Sequence, residues 1–411
     1  MKAPALFLGV TAAALALCST APCQPPGQVV LLTRGEGGSE RQPPAPFFLH
    51  VLDLSENDEP NEGWTIPVNP GGERMWLLLS HDSSPGVLVN WAEGRPGLSL
   101  WPFEGEGGDL SLGGEIPLLT AREASGWPPN MIQGAFGRPG FGNIALILSP
   151  DRSALFWRED TPDSVCVSVF EMASREMDLF FSEQREGRFA LHIGNWSPDS
   201  RYLAIHAVLP GVEYMTAQPG SPHAELSVYD RHARSRRTLA TSVPTLDATR
   251  QGVPRFRPQW TADSRRILFA QIDENDVRGG APTERLWWWD VESDIGGPLR
   301  TQFTDPGRAA WLPDGNSYVA VGWVQQQDYL VRGEIGQPAV DPLWVLRREE
   351  EPIRVSELCP SPDGHWLLAL ENYLEADGPT IRAWLVDLEG DEEPRVVWQL
   401  RGETISDYRW Y

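Results

Sequence analysis

Short apolar runs alternate with clusters of turn-forming residues along the chain, and two kinds of unit recur. The first unit is an apolar strand that often ends in an aromatic residue, a tetrad similar to Ser-Pro-Asp-Gly, and a second apolar strand. Copies start at Leu77, Leu146, Asn195, Gln259, Ala310 and Cys359, the first of them degenerate. Proline presets φ in such a tetrad, aspartate bonds the backbone just ahead, and glycine or serine takes the left-handed corner. Each copy therefore predicts a β-hairpin.

The aspartate of the tetrad marks the repeat. It stands at positions 82, 151, 199, 263, 314 and 363, and a recurring spacing of roughly fifty residues is typical of stacked or radially repeated units. An aspartate at a turn tip bonds the backbone of its own turn, so five of these acids are interpreted as structural and not as catalytic residues. They are Asp151, Asp199, Asp263, Asp314 and Asp363.

A second unit accompanies the tetrads. It is a run rich in aromatic and β-branched residues, a charged tip, and another such run, which together indicate strand, turn and strand. Copies start at Phe47, Leu98, Val165, Leu226, Leu286, Leu343 and Ile381.

The second unit has one more copy than the first, and the missing strands are found at the two ends of the chain. Trp196, Trp260 and Trp311 each precede a tetrad aspartate by three residues, and Trp410 stands where a further repeat would place the same residue. Val29–Arg34 supplies an unmatched strand before the Phe47 unit. We therefore expect the C-terminal strand to join the N-terminal strands in one four-stranded sheet.

These patterns predict an all-β fold, a seven-bladed β-propeller closed by pairing of the C-terminal strand with the N-terminal strands. Radial repetition leaves only short sheet edges, and joining the chain ends locks the ring. Six blades is the alternative, if the degenerate copy around Asp82 does not form a sheet. Residues 28–411 are expected to form this single domain.

The N-terminus predicts export. Residues 1–23 combine Lys2, a short apolar run and small residues, which is the pattern of a secretory signal peptide, and residues 24–27 form a short linker. Cys18 and Cys23 are candidate lipidation sites, since Leu15-Ala16-Leu17-Cys18 is similar to a bacterial lipobox, although Leu17 stands where a small residue is expected. The mature chain is expected to be periplasmic or extracellular, with no transmembrane segment.

Composition narrows the functional classes. The formal net charge of −23 over 411 residues argues against nucleic acid binding, which needs a clustered basic surface. The sequence lacks the Gly-x-Ser-x-Gly, His-Glu-x-x-His and paired Cys-x-x-Cys patterns. We therefore assign no catalytic residue, no metal site and no cofactor from the sequence.

The loops predict where a partner would bind. Connections between the second and third strands of a blade share one face of the propeller with the blade-to-blade connections. The loops on this face are expected to be longer than those on the opposite face, and loops held by a rigid scaffold often bind partners. The long loops are Gly35–Pro46, Ser125–Gly142, Leu209–Glu225, Asp273–Arg285 and Gln325–Asp341. The opposite face is expected to carry acidic tips, Glu349–Glu351 and Asp391–Glu393 among them.

Polar residues that enter the innermost strands are expected to ring the mouth of the channel on the long-loop face. The candidates are Arg255, Arg257, Arg308, Asp407, Arg409 and His192. Converging arginines would capture a carboxylate or the acidic tail of a partner. The structural alternative is that they bond the carbonyl groups of neighbouring blades.

The Trp-Ser-Pro-Asp-Ser and Pro-Ser-Pro-Asp-Gly elements resemble the repeats of TolB-type propellers over residues 28–411. TolB carries an additional N-terminal α/β domain, for which residues 24–27 leave no room, so the chain is not expected to be TolB itself. The resemblance implies the propeller fold and does not fix an activity. A complete propeller without a catalytic constellation predicts a non-enzymatic, secreted or envelope-associated module that binds a protein or peptide partner on its long-loop face. The alternative is a carbohydrate lyase or hydrolase with its site at the channel mouth.

Overall fold

The structure is a computed structural model. It describes residues 28–35, 47–54, 64–68, 74–80, 83–91, 97–104, 111–112, 114, 116–119, 147–160, 164–174, 176–184, 191–208, 224–240, 258–278, 281–299, 308–324, 327–337, 340–348, 351–375, 378–390, 392–401 and 403–410. The predicted signal peptide, Cys18, Cys23 and the loop Ser125–Gly142 lie outside these residues.

All regular elements in the described ranges are β-strands, which confirms the all-β prediction. In chain order they are β1 (Gln28–Gly35), β2 (Phe47–Asp53), β3 (Trp64–Val68), β4 (Arg74–Ser80), β5 (Ser83–Trp91), β6 (Gly97–Glu104), β7 (Ser111–Leu112), β8 (Ile116–Leu119), β9 (Ile147–Leu148), β10 (Ala154–Asp160), β11 (Ser164–Glu171), β12 (Met177–Gln184), β13 (Leu191–Trp196), β14 (Tyr202–Val208), β15 (Ala224–Asp230), β16 (Ser235–Ala240), β17 (Gln259–Trp260), β18 (Arg266–Arg278), β19 (Ala281–Asp290), β20 (Ile295–Pro298), β21 (Ala309–Trp311), β22 (Ser317–Val324), β23 (Gln327–Glu334), β24 (Val340–Val345), β25 (Arg347–Arg348), β26 (Glu351–Pro352), β27 (Val355–Pro360), β28 (Trp366–Glu375), β29 (Gly378–Asp387), β30 (Arg395–Arg401) and β31 (Glu403–Trp410). No helix that could cross a membrane is found among the described residues.

The described strands form seven antiparallel sheets of four or five strands and one two-stranded ribbon. Sheet 1 contains β4–β8, sheet 2 β9–β12, sheet 3 β13–β16, sheet 4 β17–β20, sheet 5 β21–β24, sheet 6 β27–β30, and sheet 7 β31 with β1–β3; the ribbon is β25 with β26. In sheets 2 to 6, strands that are neighbours in sequence are neighbours in the sheet. The hairpins predicted from both repeating units, except the one at Leu343, are confirmed by these pairings.

Sheet 7 joins the two ends of the described chain. Strand β31 pairs antiparallel with β1, with Trp410 opposite Val29, Arg409 opposite Val30 and Asp407 opposite Leu32. The Phe47 unit continues the same sheet through β2 and β3.

The first strands of successive sheets contact one another in chain order. Strand β13 contacts β17, β17 contacts β21, β21 contacts β27, β27 contacts β31, and β31 contacts β4. Sheets 3 to 7 therefore pack face to face, and sheets 4, 5 and 6 have both faces buried, which explains why the second strands of these three sheets read as unbroken apolar runs. In β22, for example, Tyr318 and Ala320 pack toward sheet 4, whereas Val319 and Val321 pack toward sheet 6.

Tryptophan side chains connect the innermost strands across the gaps between sheets. The Nε1–H of Trp260 donates to the carbonyl oxygen of Asn195 at 2.8 Å, and that of Trp311 donates to the carbonyl oxygen of Gln259 at 3.2 Å. In the preceding sheet, the accepting residue comes just before the equivalent tryptophan, Trp196 or Trp260. These bonds therefore fix the inner strands in register with one another.

The tetrad turns make a second connection between sheets. Ser200 and Ser264 occupy the left-handed corner, with φ of 64° and 61°. The Ser200 hydroxyl accepts the backbone N–H of Asp151 at 2.9 Å, and the Ser264 hydroxyl accepts that of Asp199 at 2.8 Å. Serine in this strained corner therefore supplies an acceptor that glycine lacks.

The tetrad turns and the hairpins of the second unit lie at the same edge of their sheets, here named the turn edge. Backbone N–H groups of Arg231, Val291 and Leu388 donate to carbonyl oxygens in the first turn of sheets 3, 4 and 6, at 2.8 to 3.0 Å. The prediction that these two sets of turns share an edge is confirmed for these sheets. The opposite edge, where one sheet leads to the next, is named the connection edge.

The predicted long loop Gln325–Asp341 is wrong, because residues 327–334 form strand β23. The second and third strands of sheet 5 are thus joined across residues 325–326 alone. The ends of β23 are polar and only a short central part is fully buried, so its sequence does not stand out as a strand. The more apolar run after Leu343 therefore resembles the third strand of the sheet. That run contains β24 instead, which is the fourth strand.

The acidic tip at Glu349–Glu351 is consequently misplaced in the sequence-based prediction. Strand β24 starts opposite Gly333 and ends opposite Tyr329, which carries the chain to the connection edge. Glu351 lies there, paired with Arg348 in the ribbon.

The predicted loop Asp273–Arg285 is also wrong. Strand β18 continues to Arg278 and β19 starts at Ala281, with a bulge between Asp273 and Val277. An extended hairpin therefore replaces the loop, and a bulge is the usual way for a ladder to absorb extra residues.

Replacing Trp260 by Phe removes the donor to the Asn195 carbonyl but keeps most of the aromatic surface. We expect the free energy of unfolding to fall by about 1 kcal/mol, the usual net value of one hydrogen bond. Trp366→Phe is the matched control, because the buried Trp366 Nε1 has no hydrogen-bond partner among the described residues. Denaturant titration measures both changes, and equal losses would contradict the assigned role of the indole bond.

Replacing Ser264 by Ala removes the acceptor for the Asp199 N–H and keeps the left-handed strain, so we expect a loss of about 1 kcal/mol. Ser264→Gly loses the same bond but relieves a strain of about 1 kcal/mol, so its stability should stay close to that of the wild type. Thermal unfolding of the two variants measures the difference. An alanine variant as stable as the wild type would show that the serine bond contributes nothing.

Candidate functional site

The innermost strands present equivalent positions that can be identified from their pairing with the second strand of each sheet. In sheet 5, Ala309 lies opposite Ala320, and the carbonyl oxygen of Arg308 accepts the N–H of Val321 at 2.9 Å. Val321 follows its tetrad aspartate Asp314 by seven residues. On each inner strand, the residue that pairs with the seventh residue after the tetrad aspartate occupies the equivalent position. We call this position one level of the inner strands, and it lies toward the connection edge.

Sheet 6 places Glu357 at the same level. Glu357 lies opposite Leu370, which follows Asp363 by seven residues. Arg308 and Glu357 are therefore structurally equivalent. Sequence reasoning missed Glu357 because Pro360 stands where the repeats of sheets 3, 4 and 5 have tryptophan. Counting back three residues from Pro360 would have found it.

A bulge brings His192 to this level in sheet 3. His192 precedes Trp196 by four residues, whereas Arg308 precedes Trp311 by three. The register shift between His192 and Asn195 absorbs the additional residue, so His192 lies opposite His206, seven residues after Asp199.

In sheet 7, Asp407 lies opposite Leu32, and Trp410 lies opposite Val29. Asp407 is therefore three residue pairs away from the pair that contains the tryptophan. Trp311 opposite Tyr318 and Arg308 opposite Val321 are related in the same way. The structure therefore brings four residues to one level of the inner strands, and we name them the register ring: His192, Arg308, Glu357 and Asp407.

The structure separates Arg409 from this group. Arg409 lies opposite Val30, two positions nearer the turn edge than Asp407, at the level of Ala310 and Cys359. Arg255 and Arg257 lie outside the described residues.

Neighbouring packing shows which sheet face carries each described ring side chain. Val321, opposite Arg308, packs in the core shared by sheets 5 and 6, and Leu370, opposite Glu357, packs in the core shared by sheets 6 and 7. Both ring residues therefore lie on the face that is directed to the following sheet. Arg308 is half-buried and Glu357 is exposed.

The tetrad aspartates lie at the turn edge, away from the register ring, and their carboxylates accept hydrogen bonds from their own turns. Ser149, Ser197 and Ser361 hydroxyls donate to Asp151, Asp199 and Asp363 at 2.5 to 2.6 Å. Thr261 donates in the same way to Asp263. Asp314 accepts the Ser317 hydroxyl at 2.6 Å and the Ser317 N–H at 2.7 Å. These contacts support a structural role for all five acids.

Hydrogen bonding shifts the titration of these turns. Burial acts to raise the pKa of Asp314, but the bonds from Ser317 and Asn316 outweigh it and hold the pKa below its usual value. The same balance, with Ser149 and Ser153 as donors and Arg231 nearby, lowers the pKa of Asp151.

The turn edge also holds a cleft of about 390 Å³ between sheets 3 and 4, lined by Tyr202, Val228 and Val291 and by two arginines. Arg201 pairs with Asp230 at 3.0 Å, and Arg237 pairs with Asp294 at 2.8 Å. The guanidinium groups of the cleft are thus engaged by carboxylates of the protein itself. No three His, Cys, Asp or Glu side chains in the described part of the chain lie close enough together to hold a metal ion.

Comparison with known proteins found no matching protein-family model and no similar curated protein. Among solved structures, the chain is similar to TolB from Acinetobacter baumannii at 11% identity, covering 93% of this chain and 82% of that one, with a TM-score of 0.41. The β-propeller domain of the Trilobed protease from Pyrococcus furiosus aligns at 11% identity over 91% and 95%, with a TM-score of 0.47. A protein from Lactobacillus plantarum aligns at 11% identity over 94% and 99%, with a TM-score of 0.48.

The lowered pKa of Asp314 predicts a pH-dependent contribution to stability. A carboxylate with a lower pKa in the folded state stabilises the fold above about pH 4, and this stabilisation is lost as the pH falls through the folded value. Asp314→Asn should therefore be less stable than the wild type near neutral pH, and the difference should shrink as the pH falls below about 4 toward the lowered folded-state pKa of Asp314. Denaturant titrations at a series of pH values measure it, and a difference independent of pH would contradict the assigned cause.

Proposed function

We propose that the chain is an exported, seven-bladed β-propeller that binds a protein or peptide partner at the mouth of its central channel. Sheets 1 to 7 are the blades, residues 28–411 are one domain, and the pairing of β31 with β1 closes the ring. The meander order of the sheets and the chain-order contacts of their first strands support this arrangement. A closed ring needs no further element to cover its sheets.

The register ring is the observation that carries the functional part of the proposal. Polar residues at one level of inner strands that contact one another are arranged around a common axis. The sheets fix the backbone at these positions, so a ligand that bound there would lose little free energy to reorganisation. Extended polypeptide suits such a channel mouth because its side chains can reach several blades at once.

The N-terminal pattern supports the location. Residues 1–23 would direct export, which places the mature protein in the periplasm or outside the cell. Cys18 and Cys23 are the candidate points of lipid attachment, in which case cleavage would occur just before the lipidated cysteine and leave it as the first residue of the mature chain. The high net negative charge favours solubility in such a compartment.

Photo-crosslinking in cells tests this function. A benzophenone amino acid replaces Arg308 in the full chain, and we expect a covalent adduct with one partner in the envelope or medium fraction. The matched control carries the same group at His232, which is exposed at the turn edge, and should give no such adduct. Failure to capture a partner from position 308, or capture of the same partner from both positions, would contradict a partner site at the channel mouth.

A further inference from the structure

Among the described strands, β25 and β26 alone lie outside the seven sheets. Their ribbon connects the outermost strand of sheet 5, β24, to the innermost strand of sheet 6, β27. At its base, Leu346 and Ile353 are buried in the core that sheets 5 and 6 share, and the Ile353 N–H donates to the Leu346 carbonyl oxygen at 3.1 Å. The ribbon is thus anchored by an apolar residue pair at the connection edge.

Hydrogen bonds to both sheets hold this base in place. The N–H of Leu346 donates to the carbonyl oxygen of Asp328 in sheet 5 at 2.9 Å. The N–H of Arg354 donates to the carboxylate of Glu371 in sheet 6 at 3.4 Å. Glu371 is buried, and its carboxylate lies 3.7 Å from the guanidinium group of Arg382, its ion-pair partner. The backbone at the base of the ribbon is therefore fixed by both neighbouring sheets.

The side chains that alternate with the buried pair face solvent. Successive side chains of a strand point to opposite faces, so Val345 and Arg347 are directed away from the core that holds Leu346, and Arg354 away from the core that holds Ile353. Both arginines are exposed, and Val345 is 36% exposed. We name these three residues the ribbon face. Its arginines are diagonal neighbours across the two strands, a relation that corresponds to about 7 to 8 Å in an antiparallel pair.

The two arginines of the ribbon face have charges that the protein itself does not engage. In the described part of the chain, no ion pair, side-chain hydrogen bond or ring contact involves Arg347 or Arg354. Every other arginine whose side chain is described has an interaction within the protein; Arg201, Arg234 and Arg332, for example, pair with carboxylates. The guanidinium donors of the ribbon face are therefore available to a ligand.

An acidic segment in an extended conformation matches this arrangement. A guanidinium group can bind a carboxylate through two parallel hydrogen bonds. Side chains two residues apart in an extended segment lie on the same side, about 6.5 to 7 Å apart, which is close to the spacing of the diagonal pair. Charges more than about 10 Å away are largely screened at 0.1 M salt, so the local arginines weigh more than the distant part of the negative net charge.

We infer that the ribbon face binds an extended acidic segment of a partner protein, with one carboxylate against Arg347 and another against Arg354. The same segment would cover Val345, so apolar contact adds to the charge pairing. The inference goes beyond the proposed function, because the ribbon face is a different surface from the register ring and neither depends on the other.

Fluorescence anisotropy with labelled synthetic peptides tests the inference on the purified protein. One peptide carries three glutamates at alternate positions on a Gly/Ser background, and a second of equal length carries glutamine at those positions. At about 0.1 M salt we expect the glutamate peptide to bind and the glutamine peptide not to bind, and we expect the binding to be lost at about 1 M salt. Arg347→Gln and Arg354→Gln should each weaken the glutamate peptide by about threefold, the usual value of one exposed charge pair.

Arg234→Gln is the matched control, because Arg234 is also exposed and its loss changes the net charge equally, but its guanidinium group is engaged by Glu176 and Asp178. It should leave the affinity for the glutamate peptide unchanged.

No measurable binding of the glutamate peptide, unchanged affinity in Arg347→Gln and Arg354→Gln, or an equal loss in Arg234→Gln would each overturn the inference. Light scattering of the protein without peptide tests a second copy of the chain as the occupant. A dimer that Arg347→Gln and Arg354→Gln dissociate would show that the assigned partner is wrong. Any of these results leaves the crosslinking expected from position 308 unaffected, so the two proposals fail separately.

Discussion

The indole-to-carbonyl bond between successive inner strands is the interaction on which the arrangement depends. Apolar burial brings the sheets face to face, but it is non-directional and would tolerate sliding of one sheet along another. The bonds from Trp260 to Asn195 and from Trp311 to Gln259 remove that freedom at sheets 3, 4 and 5. The serine bonds of the tetrad turns add a second fixed point at the turn edge of sheets 2, 3 and 4.

Arginine side chains make further bonds between neighbouring sheets at the turn edge. Arg237 donates to the Val291 carbonyl of the next sheet, Arg266 to that of Gly315, and Arg231 binds Glu171 of the preceding sheet. Backbone acceptors and carboxylates are thus engaged between sheets at the turn edge. A level defined by hydrogen-bond register is then held in common by several sheets, and this is why Arg308 and Glu357 become equivalent although their sequence surroundings differ.

Much of the fold follows from local patterns, and the site follows from them only in part. The tetrad specifies its own turn, so the hairpins around Asp199, Asp263 and Asp363 could be predicted from turn chemistry alone. Strand β23 could not, because its polar ends hide a strand whose central residues, Leu330 and Val331, are buried by sheets 4 and 6. His192 and Glu357 join the ring through a bulge and through a proline at the anchor position, and pairing across strands decides both. Counting three residues back from the anchor position reaches Glu357 once Pro360 is recognised as that position, but the same count misses His192, which lies four residues before Trp196.

We propose that the inner strands surround one axis in a common register, with β31 paired to β1. A crystal structure of the mature protein measures this most directly. We expect β31 to pair with β1 with Asp407 opposite Leu32, and the Cα atoms of His192, Arg308, Glu357 and Asp407 to lie at one height along the axis. A β31 strand that pairs elsewhere, or ring residues found at different heights, would contradict it.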